Sequence, residues 1–316
     1  MKTNKEPLIL GVVVFFTLVT YYLVEPFAHH QMHKHVESEH YAYTDLPDLT
    51  KTGDALRGKD LVMGAGACTG CHGIKSADMP APMDAVSSAA AYGVNPPDLS
   101  NAGAVYDAKF LTDLIKNPAH ALMVEHKFDA AKGKMHPMAQ FYGAGGDMDQ
   151  EVADMVAYLQ SIAPKAEELT PVMAFETACG RCHANHYEKW TQIGSKPTFK
   201  KKQDELAFDT QVLDYTDSLT KYMGKLPPDL SIYIRSRGEH YIKTFMENPQ
   251  NYLAGTAMPR VGVNAEAAEK VIEFLEDSGD TKRHERAAVG KNVMIYIIIF
   301  AIFALLWKKQ VWRDLH

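Results

Sequence analysis

The sequence is short of cysteine, of net positive charge and of strand-like patterns. Four cysteines occur in 316 residues, and all four lie in two Cys-x-x-Cys-His motifs, which leaves no thiol for a structural disulfide. The formal net charge of −6 argues against a nucleic-acid-binding protein, whose binding face is usually strongly basic. Alternation of apolar and polar residues is almost absent, so the sequence predicts an all-α fold. Its length predicts about two domains.

Two uncharged apolar runs lie near the ends of the sequence, at residues 8–24 and 293–307. Both are apolar all round, which favours a membrane helix over a buried core helix. Both are shorter than the roughly 20 residues that span a bilayer, so we expect flanking Tyr, Trp and Lys side chains in the interfaces. Lys2 and Lys5 would also fit a signal peptide, but no small-residue cleavage site follows. We therefore expect two uncleaved anchors, with both termini on one side.

A block of sequence recurs at an offset of 131 residues. The pentapeptide PPDLS at 96–100 recurs at 227–231, and Asn117-Pro118 recurs as Asn248-Pro249. Between them, apolar residues follow the i, i+1, i+4, i+5 spacing of an amphipathic helix, which should end at the asparagine before each proline. A further amphipathic helix closes each copy, with apolar faces formed by Val152, Met155, Val156, Leu159 and Ile162, and by Ala268, Val271, Ile272 and Leu275.

The repeat predicts two homologous lobes between two anchors. The first lobe is residues 44–164 and the second lobe is residues 165–282. Residues 1–43 form an N-terminal anchor with a histidine-rich juxtamembrane stretch, and residues 283–316 form a C-terminal anchor. The Cys-x-x-Cys-His motifs are offset by 111 residues instead of 131, so the second lobe carries about twenty extra residues between its motif and PPDLS.

The two motifs, Cys68-Thr69-Gly70-Cys71-His72 and Cys179-Gly180-Arg181-Cys182-His183, have the spacing of covalent haem c attachment. Two thiols on one turn can reach both vinyl groups of a porphyrin, and the following histidine can bind the iron. A zinc site made of two Cys-x-x-Cys pairs fits poorly, because 107 residues separate the pairs and the histidines would be superfluous. A dithiol redox motif would not explain a histidine in both copies.

An electron-carrying haem c commonly takes a methionine as its sixth ligand. In the second lobe Met258, followed by a proline and then by the closing helix, is the candidate. In the first lobe Met138 leads, because Met-x-x-Phe before the closing helix is typical of a ligand loop. Met135 and His136 remain alternatives there.

Each PPDLS also has two interpretations. Asp or Ser could cap a helix, or a proline carbonyl could accept the second N–H of the haem histidine and fix its ring. On the second interpretation Pro96 or Pro97 serves His72. In the same way, Pro227 or Pro228 serves His183.

Two further groups of residues have candidate roles. Arg235 and Arg237 follow the second PPDLS, and a guanidinium can hold a haem propionate through two hydrogen bonds, with Tyr241 as a further donor. A histidine cluster follows the first apolar run, and it could bind a metal, although interfacial or partner-subunit contacts are the ordinary expectation. The cluster comprises His29, His30, His33, His35 and His40.

Residues 226–242 (LPPDLSIYIRSRGEHYI), Met258-Pro259 and the tail LLWKKQVWRDLH resemble cytochrome c1. The resemblance places that family's propionate arginine at Arg237 and its neighbouring tyrosine at Tyr241. The extra N-terminal span and first lobe are similar to the dihaem cytochrome c subunits of bc complexes in epsilonproteobacteria. The family pattern therefore implies two tandem cytochrome c-like haem domains between an N-terminal and a C-terminal transmembrane helix.

The resemblance also implies a function. We expect two covalently attached haem c groups, with axial pairs His72–Met138 and His183–Met258. Haem c is attached on the outer face of the bacterial inner membrane, so we expect periplasmic lobes and cytoplasmic termini. The chain would take electrons from a Rieske iron-sulfur protein beside cytochrome b, in a dimeric, lipid-embedded quinol-oxidising complex. It would pass them to a periplasmic cytochrome or terminal oxidase, with no catalysis of its own and no nucleic-acid partner.

Three rival functions remain open at this level. The chain could be a dihaem electron-entry subunit of a terminal oxidase, a free membrane-tethered carrier or a dihaem peroxidase. A peroxidase needs an open or displaceable sixth position on one iron. Two plausible methionine ligands argue against that.

Overall fold

The computed structural model describes residues 5–33 and 41–313, and this part of the chain is mostly helical. In chain order the α-helices are α1 (Lys5–Val19), α2 (Glu25–His33), α3 (Ala55–Met63), α4 (Ala85–Tyr92), α5 (Ala102–Val105), α6 (Ala108–Lys116), α7 (Pro118–Ala121), α8 (Met148–Ile162), α9 (Pro171–Ala178), α10 (Lys202–Met223), α11 (Tyr233–Arg237), α12 (Glu239–Glu247), α13 (Pro249–Tyr252), α14 (Ala265–Gly279) and α15 (Arg283–Trp312). A π-helical turn, Thr20–Val24, joins α1 to α2. Strands β1 (Trp190–Thr191) and β2 (Gly194–Ser195) form a small antiparallel hairpin, with Trp190 opposite Ser195, that the all-α prediction did not include.

The terminal helices are exposed along their apolar lengths. The candidate membrane spans are Lys5–Ala28 and Arg283–Trp312, of 24 and 30 residues, and each contains an 18-residue stretch with a mean hydropathy of 2.2. Both helices extend beyond the apolar runs, so they exceed the roughly 20 residues that a bilayer requires. Lys308 Nζ lies 2.9 Å from Glu6 Oε1, which places the start of α1 beside the end of α15.

Equivalent helix pairs enclose the two motifs. Helix α3, which precedes the first motif, packs against α8, and α9, which precedes the second, packs against α14. The α3–α8 crossing is close, because a Cβ on Gly58 would lie 1.9 Å from the backbone oxygen of Asp154. Glycine is needed at this point of contact. The closing helices bury the apolar faces that the sequence predicts, except that Ile162 at the end of α8 is only half-buried.

The repeated helices α6 and α12 end where the sequence predicts. Each stops at the residue before an asparagine, Asn117 or Asn248, that precedes a proline. Each asparagine side chain then accepts a hydrogen bond from the N–H three residues further on and caps the short helix that follows.

One hydrophobic core runs through residues of both lobes. Tyr106 pairs with Val263 in an isolated β-bridge, and Tyr43 donates a hydrogen bond from its hydroxyl to the Val263 carbonyl at 2.6 Å. Gly262 lies directly over the Phe110 ring, where a Cβ would approach within 2.1 Å of a ring carbon. The lobes are therefore in direct apolar contact.

The extra residues of the second lobe pack against the first lobe and form hydrogen bonds with it. Helix α10 packs on α4, and its Tyr215 is fully buried. The Tyr215 hydroxyl donates to the carbonyl of Arg181 at 2.7 Å and accepts from the N–H of Asn95 at 3.2 Å. One side chain therefore joins the second motif to the chain just before the first PPDLS.

Candidate haem site

The two Cys-x-x-Cys-His motifs form equivalent turns. The N–H of His72 donates to the carbonyl of Cys68 at 2.9 Å, and the N–H of His183 donates to that of Cys179 at the same distance. All four cysteines have free thiols, and Cys179 is buried. Each turn therefore presents two thiols that form no disulfide and one imidazole, which are the groups that covalent haem attachment requires.

Each motif histidine is held by a proline carbonyl. His72 Nδ1 lies 2.7 Å from the carbonyl oxygen of Pro97, and His183 Nδ1 lies 2.8 Å from that of Pro228. A carbonyl oxygen can only accept, so Nδ1 carries the proton and Nε2 keeps its lone pair for a metal ion. Burial lowers the pKa of both histidines, which favours this neutral form.

The two PPDLS segments clamp the chain that follows each motif. Asp98 caps its own segment by accepting from the N–H of Ser100 at 2.9 Å, and Asp229 does the same for Ser231 at 3.0 Å. The other oxygen of each aspartate accepts a backbone N–H three residues after the motif histidine. PPDLS thus performs both roles considered for it, since its aspartate caps and its proline carbonyl holds the imidazole.

A single cavity of about 1250 Å³ joins the two sites. Pockets for one small ligand usually enclose ~300–1,000 Å³, so this cavity is larger than one such pocket. Every predicted cofactor-binding residue lines it: Cys68, Cys71, His72, Pro97, Met138, Cys179, Cys182, His183, Pro228, Arg237, Tyr241 and Met258. Most of its wall is apolar. Free thiols, oriented imidazoles and an apolar space fit haem c.

The structure separates the three alternatives for the first sixth ligand. Met138 and His136 line the cavity, whereas Met135 does not and is 62% exposed. Both nitrogens of His136 have partners, because Nδ1 accepts from the N–H of Met138 at 3.1 Å and Nε2 lies 3.3 Å from the Tyr222 hydroxyl. The geometry favours Met138, and its ligation remains a prediction.

Arg237 and Tyr241 lie together at the cavity wall, with the Arg237 guanidinium 5.3 Å from the centre of the Tyr241 ring. Burial raises the pKa of Tyr241, so its hydroxyl stays protonated and can donate. Arg235 is exposed and is not part of this wall.

The histidine-rich stretch is only partly described. His29, His30 and His33 belong to α2, and His30 is exposed. His35 and His40 lie outside the described residues. The side chains of His29 and His33 also lie outside the described part, and among the described side chains no group of three or more His, Cys, Asp or Glu is placed to hold a metal ion.

Arg181 and Tyr222 are two of the second-lobe cavity residues that sequence reasoning missed. Arg181 lies inside the second motif, and Tyr222 lies in α10, within the extra residues. The available signal for Arg181 was the difference between the motifs, since the first has Gly70 at the matching position. Nothing in the sequence pattern marks Tyr222.

Residues 55–163, about a third of the chain, match the family model for cytochrome c. The chain therefore contains a cytochrome c domain, a class of domain that carries covalently bound haem c. A chain of a hyperthermophilic respiratory Complex III is similar at 22% sequence identity and a TM-score of 0.35, covering 48% of this chain and 76% of that one. That similarity is too low to support an inference about fold or function. No curated protein matches the chain.

Proposed function

We propose that the chain is the dihaem cytochrome c subunit of a bc1-type quinol:cytochrome c oxidoreductase. On this proposal the two lobes are tandem cytochrome c domains, and two membrane spans anchor them. The subunit takes electrons from a Rieske iron-sulfur protein and delivers them to a periplasmic cytochrome or terminal oxidase. The cytochrome b subunit is its membrane neighbour in a dimeric complex of the bacterial inner membrane.

The observation that carries the proposal is the shared cavity with two equivalent sets of ligating groups. Each set has two free thiols, an imidazole tied to a proline carbonyl and a methionine at the cavity wall. Haem c bound at each set would supply reversible one-electron chemistry. Because both sets line one continuous cavity, electron transfer from one site to the other is favoured.

This chain's own residues would then orient the ligands and exclude water. Pro97 and Pro228 fix the two imidazole rings, and the mostly apolar wall would surround a haem at each site. Arg237 and Tyr241 would hold propionate oxygens of the second haem. None of these groups makes or breaks a covalent bond during turnover.

The terminal helices support the anchored arrangement. The contact between Lys308 and Glu6 brings the two outer helix ends together, as expected if both termini lie on one side of a membrane. The specific role in quinol oxidation rests on the resemblance of residues 226–242, Met258-Pro259 and the tail to cytochrome c1.

The test is purification of the native membrane complex that contains this chain. We expect cytochrome b and a Rieske protein to co-purify, and quinol to reduce the c haems. An inhibitor of the quinol oxidation site should block that reduction. Co-purification with haem–copper oxidase subunits alone, without cytochrome b or Rieske protein, would contradict the proposal.

A further inference from the structure

The second motif carries an arginine where the first carries glycine. Arg181 is partly buried, and its side chain lines the cavity. Its Nη1 donates to the carbonyl of Asn95, at 3.3 Å, in the first lobe. Asn95 lies two residues before Pro97, whose carbonyl holds His72. Arg181 therefore reaches from the second lobe to the edge of the first site.

The first lobe has no arginine at the position that corresponds to Arg237 of the second lobe. The 131-residue offset places Tyr106 opposite Arg237, and the Tyr106 hydroxyl is already committed to the Thr177 carbonyl at 2.9 Å. The one arginine in residues 44–164 is Arg57, which is paired with Asp154 and lies away from the cavity. The first lobe thus lacks a counterpart of Arg237.

Arg181 has the charge and the position to act in the first lobe as Arg237 would act in the second. Its guanidinium contacts the Asn95 carbonyl of the first lobe, and Arg181 lines the same cavity as His72 and His136. Among the described residues, no carboxylate forms an ion pair with it. Arg260, another arginine at the cavity, is paired with Asp45 through its Nη2 at 2.7 Å, whereas its buried Nε and Nη1 have no hydrogen-bond partner among the described residues.

We propose that Arg181 binds a propionate carboxylate of the haem in the first lobe, so that the second haem-attachment motif supplies the first haem's charge partner. A planar guanidinium holds a carboxylate through two parallel hydrogen bonds. A cation at that position stabilises the reduced iron and raises the reduction potential. This inference rests on the proposed function, since it requires a haem in each lobe.

The experiment is a redox titration of the full-length holoprotein, with R181Q, R181K and the control K59Q. Lys59 is an exposed cation of the first lobe outside the cavity, so K59Q removes one charge without touching the site. The variant M258H identifies which redox wave belongs to the second lobe. Resonance Raman spectra report the propionate-bending bands in every variant.

We expect R181Q to lower the equilibrium constant for reduction of the first-lobe haem on the order of tenfold. For one electron this corresponds to a reduction potential lower by about 59 mV. The second-lobe haem should shift less, and K59Q should leave both haems unchanged. R181K should shift the propionate-bending band, because a lysine cannot form the two parallel hydrogen bonds of a guanidinium. This measurement tests the inference even if the R181Q protein cannot be produced.

Two results would overturn the inference. One is an unchanged first-lobe potential in R181Q, and the other is an unchanged propionate band in R181K. If either occurs in protein that holds two haems per chain, this inference fails while the proposed function stands. A chain with fewer than two covalent haems would instead contradict the proposed function.

Discussion

The Tyr215 hydroxyl offers a direct test of how the two lobes are joined. Tyr215 is fully buried, and its hydroxyl connects the carbonyl of Arg181 with the N–H of Asn95. The substitution Y215F keeps the ring and removes one oxygen atom, so no large cavity forms. It leaves one backbone acceptor and one backbone donor without this partner at the contact between the lobes.

The expected cost follows from those two groups. Leaving a buried polar group unpaired costs ~1–3 kcal/mol, and both groups are only partly buried, so we expect about 2–3 kcal/mol in total. For a domain of roughly 150–250 residues, 1 kcal/mol lowers the melting temperature by about 2–4 °C. We therefore expect Y215F to lower the melting temperature by about 4–12 °C.

The assay is thermal unfolding of the detergent-solubilised holoprotein, followed by circular dichroism. The matched control is Y187F, because Tyr187 is 60% exposed and surface substitutions usually change stability by less than ~0.5 kcal/mol. Equal melting temperatures for Y215F and Y187F would refute the argument that this hydroxyl stabilises the contact between the lobes.

Three further substitutions test the packing and the ligands. G58A should cost about 1–3 kcal/mol, because its Cβ would clash with the α8 backbone, whereas a Cβ on Gly290 would meet no atom within 4 Å and G290A should not lower the thermal midpoint. W190F should lower the free energy of unfolding by about 1 kcal/mol, because the Trp190 indole N–H donates to the Gly180 carbonyl at 2.9 Å. The measurement is urea unfolding, and an unaltered midpoint would contradict this. M258H should lower the potential of one haem markedly in a redox titration, because a histidine replaces a thioether that favours ferrous iron, and unchanged potentials would exclude Met258 as a ligand.

Local features of the fold could be predicted because they repeat in the sequence. The offset of 131 residues located equivalent helices, and the Asn-Pro pairs placed the ends of α6 and α12. The proline–histidine hydrogen bonds were expected for one of two prolines in each lobe. The sequence could not show which of the two prolines accepts the hydrogen bond, because the carbonyls of neighbouring residues differ only in the direction in which they point.

The relation between the lobes could not be predicted in the same way. A repeat shows that two segments fold alike, but it carries no information on how they pack. Two elements join the lobes in the shared core, the cavity and the Tyr215 contact. Helix α10 has no counterpart in the first copy, and the segment around Gly262 faces the other lobe. The contact between His136 and Tyr222 could not be predicted for the same reason, since the two residues belong to different lobes.

The central claim is that both motifs bind haem covalently within one chain. The most direct measurement is the ratio of haem to chain after denaturation and acid–acetone extraction, from the pyridine haemochrome spectrum and intact mass. We predict two haems per wild-type chain. We also predict one each for the paired variants C68S/C71S and C179S/C182S. A ratio of one in the wild type, or haem lost to the extraction, would contradict the account.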